Sequence, residues 1–201
     1  NEFRSMELQL TDFENAAFAS FLILLSRVIL DRDLCLYLPI SKVDENMKRA
    51  EKRDAIRTQK FWFRKDIYPP SSLTQPENEN ENSYVELTLK EIMFGHTKIS
   101  NSNYSGIFPL IDSYLETLNC SDHVRNKIND YLTLIKKRLL GELPTTATWL
   151  RKKIQTHPCY KKDSILNNEL AYDILKLCSD IGEGSITAPD LLGEVVIKPL
   201  L

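Results

Sequence analysis

The chain has 201 residues, 42% of them hydrophobic and 27% charged, so it is long and apolar enough to bury a core of its own. Its formal net charge is −2 and its acids and bases are interspersed, which argues against partners such as nucleic acid or an anionic membrane surface. Neither the three histidines nor the four cysteines (Cys35, Cys120, Cys159, Cys178) have the clustered spacing of a zinc site. Widely separated cysteines of this kind indicate a reduced, cytoplasmic protein.

Residues 1–10 predict a β-strand. Alternate side chains of a strand share a face, so Glu2 and Arg4 would project together, one acid beside one base. The sequence begins inside this strand and without an initiator Met, and we therefore expect it to be the C-terminal piece of a larger protein.

A long helix is predicted over residues 12–30. Thr11 and Glu14 have the spacing of a capping box, in which hydroxyl and carboxylate accept each other's backbone N–H. Two serines and Arg27 interrupt the apolar stretch, which we judge too short for a membrane span of about 20 apolar residues. The pattern therefore predicts a buried central helix.

Between residues 34 and 68 the pattern changes several times. Residues 34–40 predict a short strand or extended segment, and residues 41–44 resemble the cap of a mostly polar helix over 42–57. Ion pairs on the surface of that helix explain its charges, although some of its bases could instead reach a phosphate. The aromatic run over 60–68 predicts core or strand, with base stacking on Trp62 as the alternative.

The rest of the chain is predicted to be one loop followed by helices. Residues 69–83 contain a Glu-Asn repeat and almost nothing apolar, which indicates a mobile surface loop. Helices are predicted near 84–95, 108–119, 121–140, 145–156, 167–181 and 188–192, with Gly95, Gly141 and Gly182 at helix ends. The fold class is mainly α, with one or two short N-terminal strands. We treat 1–201 as one region, divided into a strand over 1–10, helices and short strands over 11–68, the loop, and a helical subdomain over 84–201.

Familiar catalytic motifs are absent from the sequence. It has no glycine-rich phosphate loop, no nucleophile elbow and no His-Glu-x-x-His pattern. Residue patterns alone therefore name no reaction.

Several blocks nevertheless resemble a known family. In order along the chain they are Glu2-Phe3-Arg4, residues 6–15, residues 39–47, residues 52–54, residues 63–66, residues 131–138, residues 141–143 and residues 157–164. These blocks are similar to the C-terminal part of the eukaryotic glutamate–cysteine ligase catalytic subunit, and they cover nearly the whole chain.

The resemblance implies a glutamine-synthetase-like α+β ligase of the glutathione pathway that joins L-glutamate to L-cysteine with ATP and Mg²⁺. It implies that Glu2 is a Mg²⁺ ligand and that Arg4 contacts a substrate carboxylate or a phosphoryl group. A regulatory modifier subunit is a further implied partner.

Two departures from the family pattern lie beside these residues. Ser5 stands where the family has Pro, and Asn1 stands where an apolar residue is usual. Most of the family's active site also belongs to a region before Glu2, so we expect the isolated chain to lack ligase activity. The alternative interpretation is a non-catalytic helical interaction module or a truncated paralogue.

Overall fold

A computed structural model describes residues 9–68, 83–95 and 104–194. These residues are mostly helical, as the composition pattern predicted. The elements in chain order are α1 (Asp12–Asp31), α2 (Ile40–Ala50), α3 (Ala55–Thr58), β1 (Lys60–Arg64), β2 (Tyr84–Thr88), α4 (Leu89–Phe94), α5 (Ile107–Thr117), α6 (Asp122–Leu140), α7 (Thr146–Thr156), α8 (Asn168–Gly182) and α9 (Pro189–Leu192). The predicted strand over 1–10 and the predicted loop over 69–83 lie outside the described residues, apart from their last one or two positions.

The chain divides into two compact units. One is formed by residues up to 21 together with residues from 126 onward, and the other by residues 22–125. We refer to them as the terminal unit and the middle unit.

Helix α1 begins and ends where the sequence predicted, but it is not a buried central helix. Ala17, Leu24 and Val28 are buried on one stripe, whereas Ile23 and Leu30 are 62% and 70% exposed. Only 22% of its most apolar 18-residue stretch is buried. By length and composition alone, this helix of 20 residues could cross a bilayer. The prediction that it is too short for a span was therefore wrong on length. The core helix of a soluble protein and a signal sequence near an N-terminus pass the same test of length and composition.

The predicted helix over 42–57 is wrong at both ends. Helix α2 begins earlier, at Ile40, with Pro39 at its N-cap and no side-chain cap, and it ends at Ala50. Asp54 then takes a left-handed conformation with φ 53°, and the short helix α3 follows. Asp54 lies four residues beyond the end of α2 and is the N-cap of α3, so a left-handed residue separates the two helices where one was predicted.

The middle unit contains an antiparallel hairpin of β1 and β2, paired from Lys60 opposite Thr88 to Arg64 opposite Tyr84. The aromatic run is thus a strand, as predicted, but the helix predicted over 84–95 was wrong. Residues 84–88 form β2, and the helix begins only at Leu89, after a capping box in which the Thr88 hydroxyl accepts from the Glu91 N–H. The alternating apolar residues of 84–88 fit a strand paired with an aromatic neighbour better than a helix.

Gly95 and Gly106 close the ends of a connection in the middle unit. Both have positive φ, 92° and 101°, and a Cβ on Gly106 would lie 2.4 Å from the backbone N of Gly95. No side chain fits such an approach, so glycine is required at both ends. Gly95 at the end of α4 confirms one predicted helix end.

The terminal unit is a group of helices around an apolar cluster. Trp149 of α7, Ile181 of α8 and Leu191 and Leu192 of α9 are buried together. Thr145 and Asn167 cap α7 and α8 with side-chain acceptors. Gly141 has the positive φ expected at a helix end, whereas Gly182 does not; Gly184, two residues later, does.

Candidate functional site

The predicted site residues Glu2 and Arg4 lie outside the described residues. The structure therefore gives no geometry for the expected Mg²⁺ ligand or for the expected contact to phosphoryl or carboxylate. It does describe the segment that follows them directly, from Gln9 to Thr11, and the contacts that hold this segment in the terminal unit.

The backbone of that segment is fixed by Asn15 and Glu14 at the start of α1. The Asn15 side-chain oxygen accepts from the Gln9 N–H at 2.9 Å, and its amide nitrogen donates to the carbonyls of Gln9 and Thr11. Oε2 of Glu14 accepts from the Thr11 N–H at 3.0 Å and from the Thr11 hydroxyl at 2.8 Å. The Glu14 N–H donates back to that hydroxyl at 3.2 Å, so the predicted capping box is confirmed.

The other oxygen of Glu14 lies in a buried ion pair. Oε1 accepts from a terminal nitrogen of Arg138 on α6 and, at 3.2 Å, from the hydroxyl of Thr146 at the start of α7. The other terminal nitrogen of Arg138 donates to Oε1 of Gln9 at 3.4 Å, and the Thr146 hydroxyl also reaches that oxygen, at 3.1 Å. The side chains of Glu14 and Arg138 are 0% and 6% exposed. We call Gln9, Thr11, Glu14, Arg138 and Thr146 the anchor network.

The anchor network can fix a segment but cannot by itself perform chemistry. Its one cation faces its one carboxylate, so no net charge remains for a substrate. Nε of Arg138 is a buried nitrogen without a hydrogen-bond acceptor, and the ring of Phe18 lies 5.9 Å from the guanidinium carbon. The network therefore holds in place the backbone from which residues 1–8 emerge.

Sequence reasoning missed this ion pair, although both residues carry a signal. Glu14 lies on the same stripe of α1 as buried Ala17, three residues on, and Arg138 lies on the same stripe of α6 as buried Leu134 and Ile135. A charge on the buried stripe of a helix needs a partner of opposite sign. One acid and one base of this kind predict each other.

A second polar cluster lies in the middle unit, where some bases were considered as phosphate contacts. The ammonium of Lys42 lies 3.5 Å from the centroid of the Trp62 ring, and the Trp62 indole N–H donates to Glu45 at 2.7 Å. Asn46 pairs with both the N–H and the carbonyl of Trp62, at 2.7 and 3.0 Å, and so covers the outer edge of β1. These polar groups are engaged in holding α2 against the hairpin.

Arg49 completes the cluster by pairing with Glu45 and Glu86 and donating to the Lys60 carbonyl at 2.7 Å. The hydrogen bonds from Trp62 and Arg49 lower the pKa of the Glu45 carboxyl below its ordinary range. The carboxylates compensate the bases of the cluster, which favours the structural interpretation over a phosphate site. Trp62 is occupied by Lys42 on its ring, so the base-stacking alternative gains no support.

Among residues 9–68, 83–95 and 104–194, no group of three or more His, Cys, Asp or Glu side chains could hold a metal ion. His157 illustrates why, since one ring nitrogen accepts from the Cys159 N–H at 3.2 Å while the other faces Asp173 at 3.3 Å. The described residues alone do not fit a magnesium site.

The cysteines are free, and all four are partly exposed. Burial raises the pKa of the Cys178 thiol, and burial followed by the nearby carboxylate of Glu169 raises that of Cys159. A raised pKa means a small thiolate fraction at neutral pH, so these two thiols are not activated nucleophiles.

Comparison with known proteins identifies the family. The family model described as glutamate-cysteine ligase matches residues 1–181. The chain is 43% identical over 204 residues to the glutamate–cysteine ligase catalytic subunit of Homo sapiens. This match covers 98% of this chain and 32% of the human protein. It is 42% identical to glutamate–cysteine ligase of Schizosaccharomyces pombe (91% of this chain, 26% of that protein) and 39% identical to that of Dictyostelium discoideum (96% and 30%).

The chain thus spans about a third of the length of the human relative and less of the fission-yeast one. The matches run through the segment that precedes the anchor network and through the network itself. The family that the sequence blocks resembled is confirmed: the chain belongs to the glutamate–cysteine ligase family.

Proposed function

We propose that this chain is the C-terminal part of an ATP-dependent ligase that forms γ-glutamylcysteine from L-glutamate and L-cysteine. The observation that carries the proposal is the 43% identity to the human catalytic subunit over 98% of the chain. An identity of this size over nearly the whole chain preserves a fold, so the glutamine-synthetase-like architecture implied by the resemblance is part of the proposal. A cytoplasmic location and a regulatory modifier subunit are proposed on the same basis.

The proposed reaction has two steps. The γ-carboxylate of glutamate attacks the terminal phosphorus of ATP, forming an acyl phosphate and releasing ADP. The cysteine amine then attacks the acyl carbon, the amide C–N bond forms, the C–O bond to phosphate breaks, and the amine loses a proton. Both steps develop negative charge on oxygens, which a forked guanidinium stabilises through two parallel hydrogen bonds.

Within this chain, Arg4 is the proposed contact to that charge and Glu2 is the proposed ligand of Mg²⁺. Glu2 would hold Mg²⁺ together with carboxylates from residues outside this chain, and the bound ion would supply positive charge for phosphoryl transfer. The anchor network supports the proposal by fixing the backbone at Gln9, five residues after Arg4. A side chain can serve a reaction only if its backbone is held.

Isolated, the chain should be inactive. A charge-assisted hydrogen bond contributes about 1.5–3 kcal/mol, whereas enzymes lower barriers by roughly 8 kcal/mol or more. Purified 1–201 with ATP, glutamate, cysteine and Mg²⁺ should therefore release no ADP above a protein-free blank. Release above the blank would contradict this expectation.

The direct test is a chimera in which this chain replaces the matched 204 residues of the human catalytic subunit. The chimera should form γ-glutamylcysteine and ADP in equal amounts. Arg4→Ala should lower kcat about tenfold to a hundredfold, the value of one charge-assisted contact. The control Arg57→Ala removes an exposed guanidinium paired with Asp54 at 3.4 Å and should leave kcat unchanged.

The same chimera separates the proposal from its alternative. A folded chimera that is inactive, while the human segment with the same junctions is active, would assign this chain to the class of non-catalytic modules. Equal activity of the Arg4→Ala and Arg57→Ala chimeras would remove Arg4 from the site and leave the family assignment intact.

A further inference from the structure

The middle unit exposes two aliphatic stripes on consecutive helices. Ile23 and Leu30, seven residues apart on α1, are 62% and 70% exposed; Ile40 and Met47, seven apart on α2, are 76% and 60% exposed. Residues seven apart lie on one side of a helix, two turns from each other. We call these four side chains the aliphatic face. Single exposed apolar residues are ordinary, but pairs repeated at helical spacing on two consecutive helices indicate surfaces that a partner covers.

The exposure of α1 is one-sided. Its opposite stripe, with Ala17 and Val28 at 0% exposed, is packed into the fold. The helix is therefore held by its buried stripe, while Ile23 and Leu30 remain available for another protein surface. A stripe of this width is the surface by which a helix docks into a groove or onto a sheet.

A bilayer is a poor occupant for this face. Arg27 is exposed, four residues after Ile23 and three before Leu30, and so lies on the same side of the helix. Lipid would have to accept that guanidinium at the middle of the stripe, where charges are rare. Insertion of the whole helix would also pull Ala17, Leu24 and Val28 out of the core and break the buried pair of Glu14 and Arg138.

A larger protein of the same family supplies a fitting occupant. The match covers 32% of the human catalytic subunit and 30% of the Dictyostelium ligase, so each of these proteins has about twice as much chain again outside it. A protein–protein contact accepts an arginine within an aliphatic surface, and Arg is enriched at such contacts.

We propose that the aliphatic face is the docking surface for the part of the ligase that lies outside this chain. This inference rests on the proposed function, because it takes the remaining part of the same ligase as the partner. Ile23 and Leu30 are its anchors on α1, with Arg27 between them along that helix, and Ile40 and Met47 are its anchors on α2.

Docking can be measured by alkylation of introduced thiols. Ile23→Cys, Leu30→Cys and the control Val124→Cys are prepared in the 201-residue chain and in the human chimera, and the rate of each thiol is followed peptide by peptide by mass spectrometry. Val124 is an exposed residue of α6 in the same unit, away from the aliphatic face along the chain. In the isolated chain all three should react freely. In the chimera the thiols at positions 23 and 30 should react at about one tenth of their rate in the isolated chain or slower, because a covered side chain reacts only when the contact opens. The rate at position 124 should be the same in both proteins.

The outcomes separate the two proposals. A chimera that makes γ-glutamylcysteine while position 23 reacts as fast as in the isolated chain overturns the docking surface and leaves the function. Protection without activity supports the surface and counts against the function. Protection of position 124 to the same degree would mean general shielding and would also overturn the surface.

Two other occupants are tested on the isolated chain. Sedimentation with anionic phospholipid vesicles, abolished by Ile23→Asp with Leu30→Asp, would assign the face to a membrane and overturn the proposal. A dimer in light scattering that the same pair of substitutions dissolves would assign it to a second copy. A monomer that ignores vesicles, and whose thermal stability the two exposed substitutions leave unchanged, is the result that the proposal requires.

Discussion

Replacing Arg138 by Met removes the cation from the buried pair with Glu14 and should destabilise the terminal unit strongly. Breaking a buried ion pair costs about 3–5 kcal/mol, because it leaves a charge without its partner. The value should lie near the lower end, since Glu14 keeps donors on Thr11 and Thr146. The substitution also removes the Nε that has no acceptor, which offsets about 1 kcal/mol or more of the loss.

Replacing Glu14 by Leu should cost more, toward about 5 kcal/mol, because it leaves the buried Arg138 cation without a carboxylate and takes the acceptor from both the N–H and the hydroxyl of Thr11. The double variant Glu14→Leu with Arg138→Met should cost less than the sum of the two. It removes both charges together and fills their space with apolar atoms. The predicted interaction energy thus has a definite sign.

The assay is urea unfolding of the 201-residue chain, followed by Trp fluorescence because Trp149 reports on the terminal unit. The control Arg57→Met breaks an exposed pair whose side chains are 58% and 45% exposed, and should cost about 0–1 kcal/mol. If Arg138→Met costs no more than Arg57→Met, the pair is not buried in solution. Additive costs of the two anchor substitutions would show that they do not interact.

Three further predictions concern other contacts. Asn46→Ala removes both hydrogen bonds to the Trp62 backbone and should lower the free energy of unfolding by about 1–3 kcal/mol in urea, whereas Asn46→Asp, which keeps the acceptor, should cost less. Burial alone would raise the pKa of the Asp190 carboxyl, but hydrogen bonds, the largest from Lys153, lower it. The stabilisation from this carboxylate is therefore present above its unfolded-state pKa and is lost as the pH falls through its folded-state pKa. Lys153→Met should reduce the loss of stability that thermal melts show at acid pH. Burial raises the pKa of Cys178, so iodoacetamide should modify it more slowly in the folded chain than in urea, and a rate that is equal in both would contradict this.

The sequence predicted an element correctly where residues close in the chain determine it, and incorrectly where contacts to distant residues determine it. Helices α7 and α8 were placed within about a residue because Thr145 and Asn167 supply their caps from adjacent positions. Residues 84–88 were misassigned because their strand exists through pairing with residues 60–64, which no local pattern shows. The break between α2 and α3 was missed because Asp54, an ordinary polar residue in the sequence, adopts a left-handed conformation at the N-cap of α3.

The candidate site divides in the same way. The capping box of Thr11 and Glu14 is a spacing within four residues and was predicted correctly. Arg138, the partner of Glu14, is 124 residues away in the sequence. The sequence indicates this pair only by the charged residue on the buried stripe of each helix. The roles of Glu2 and Arg4 stay predictions that derive from resemblance, since the described residues begin at Gln9.

Stability and activity should therefore be separable in this chain. The terminal unit has its own apolar cluster and its own buried charge pair, and the middle unit has a hairpin whose outer edge is covered by Asn46. These contacts are complete without a ligand. No group of His, Cys, Asp or Glu that could hold a metal ion forms among the described residues, whereas the aliphatic face of α1 and α2 is exposed there. We therefore expect the 201 residues to fold alone, whereas the proposed ligation would need both the aliphatic face and the residues preceding Gln9 to meet the rest of a ligase.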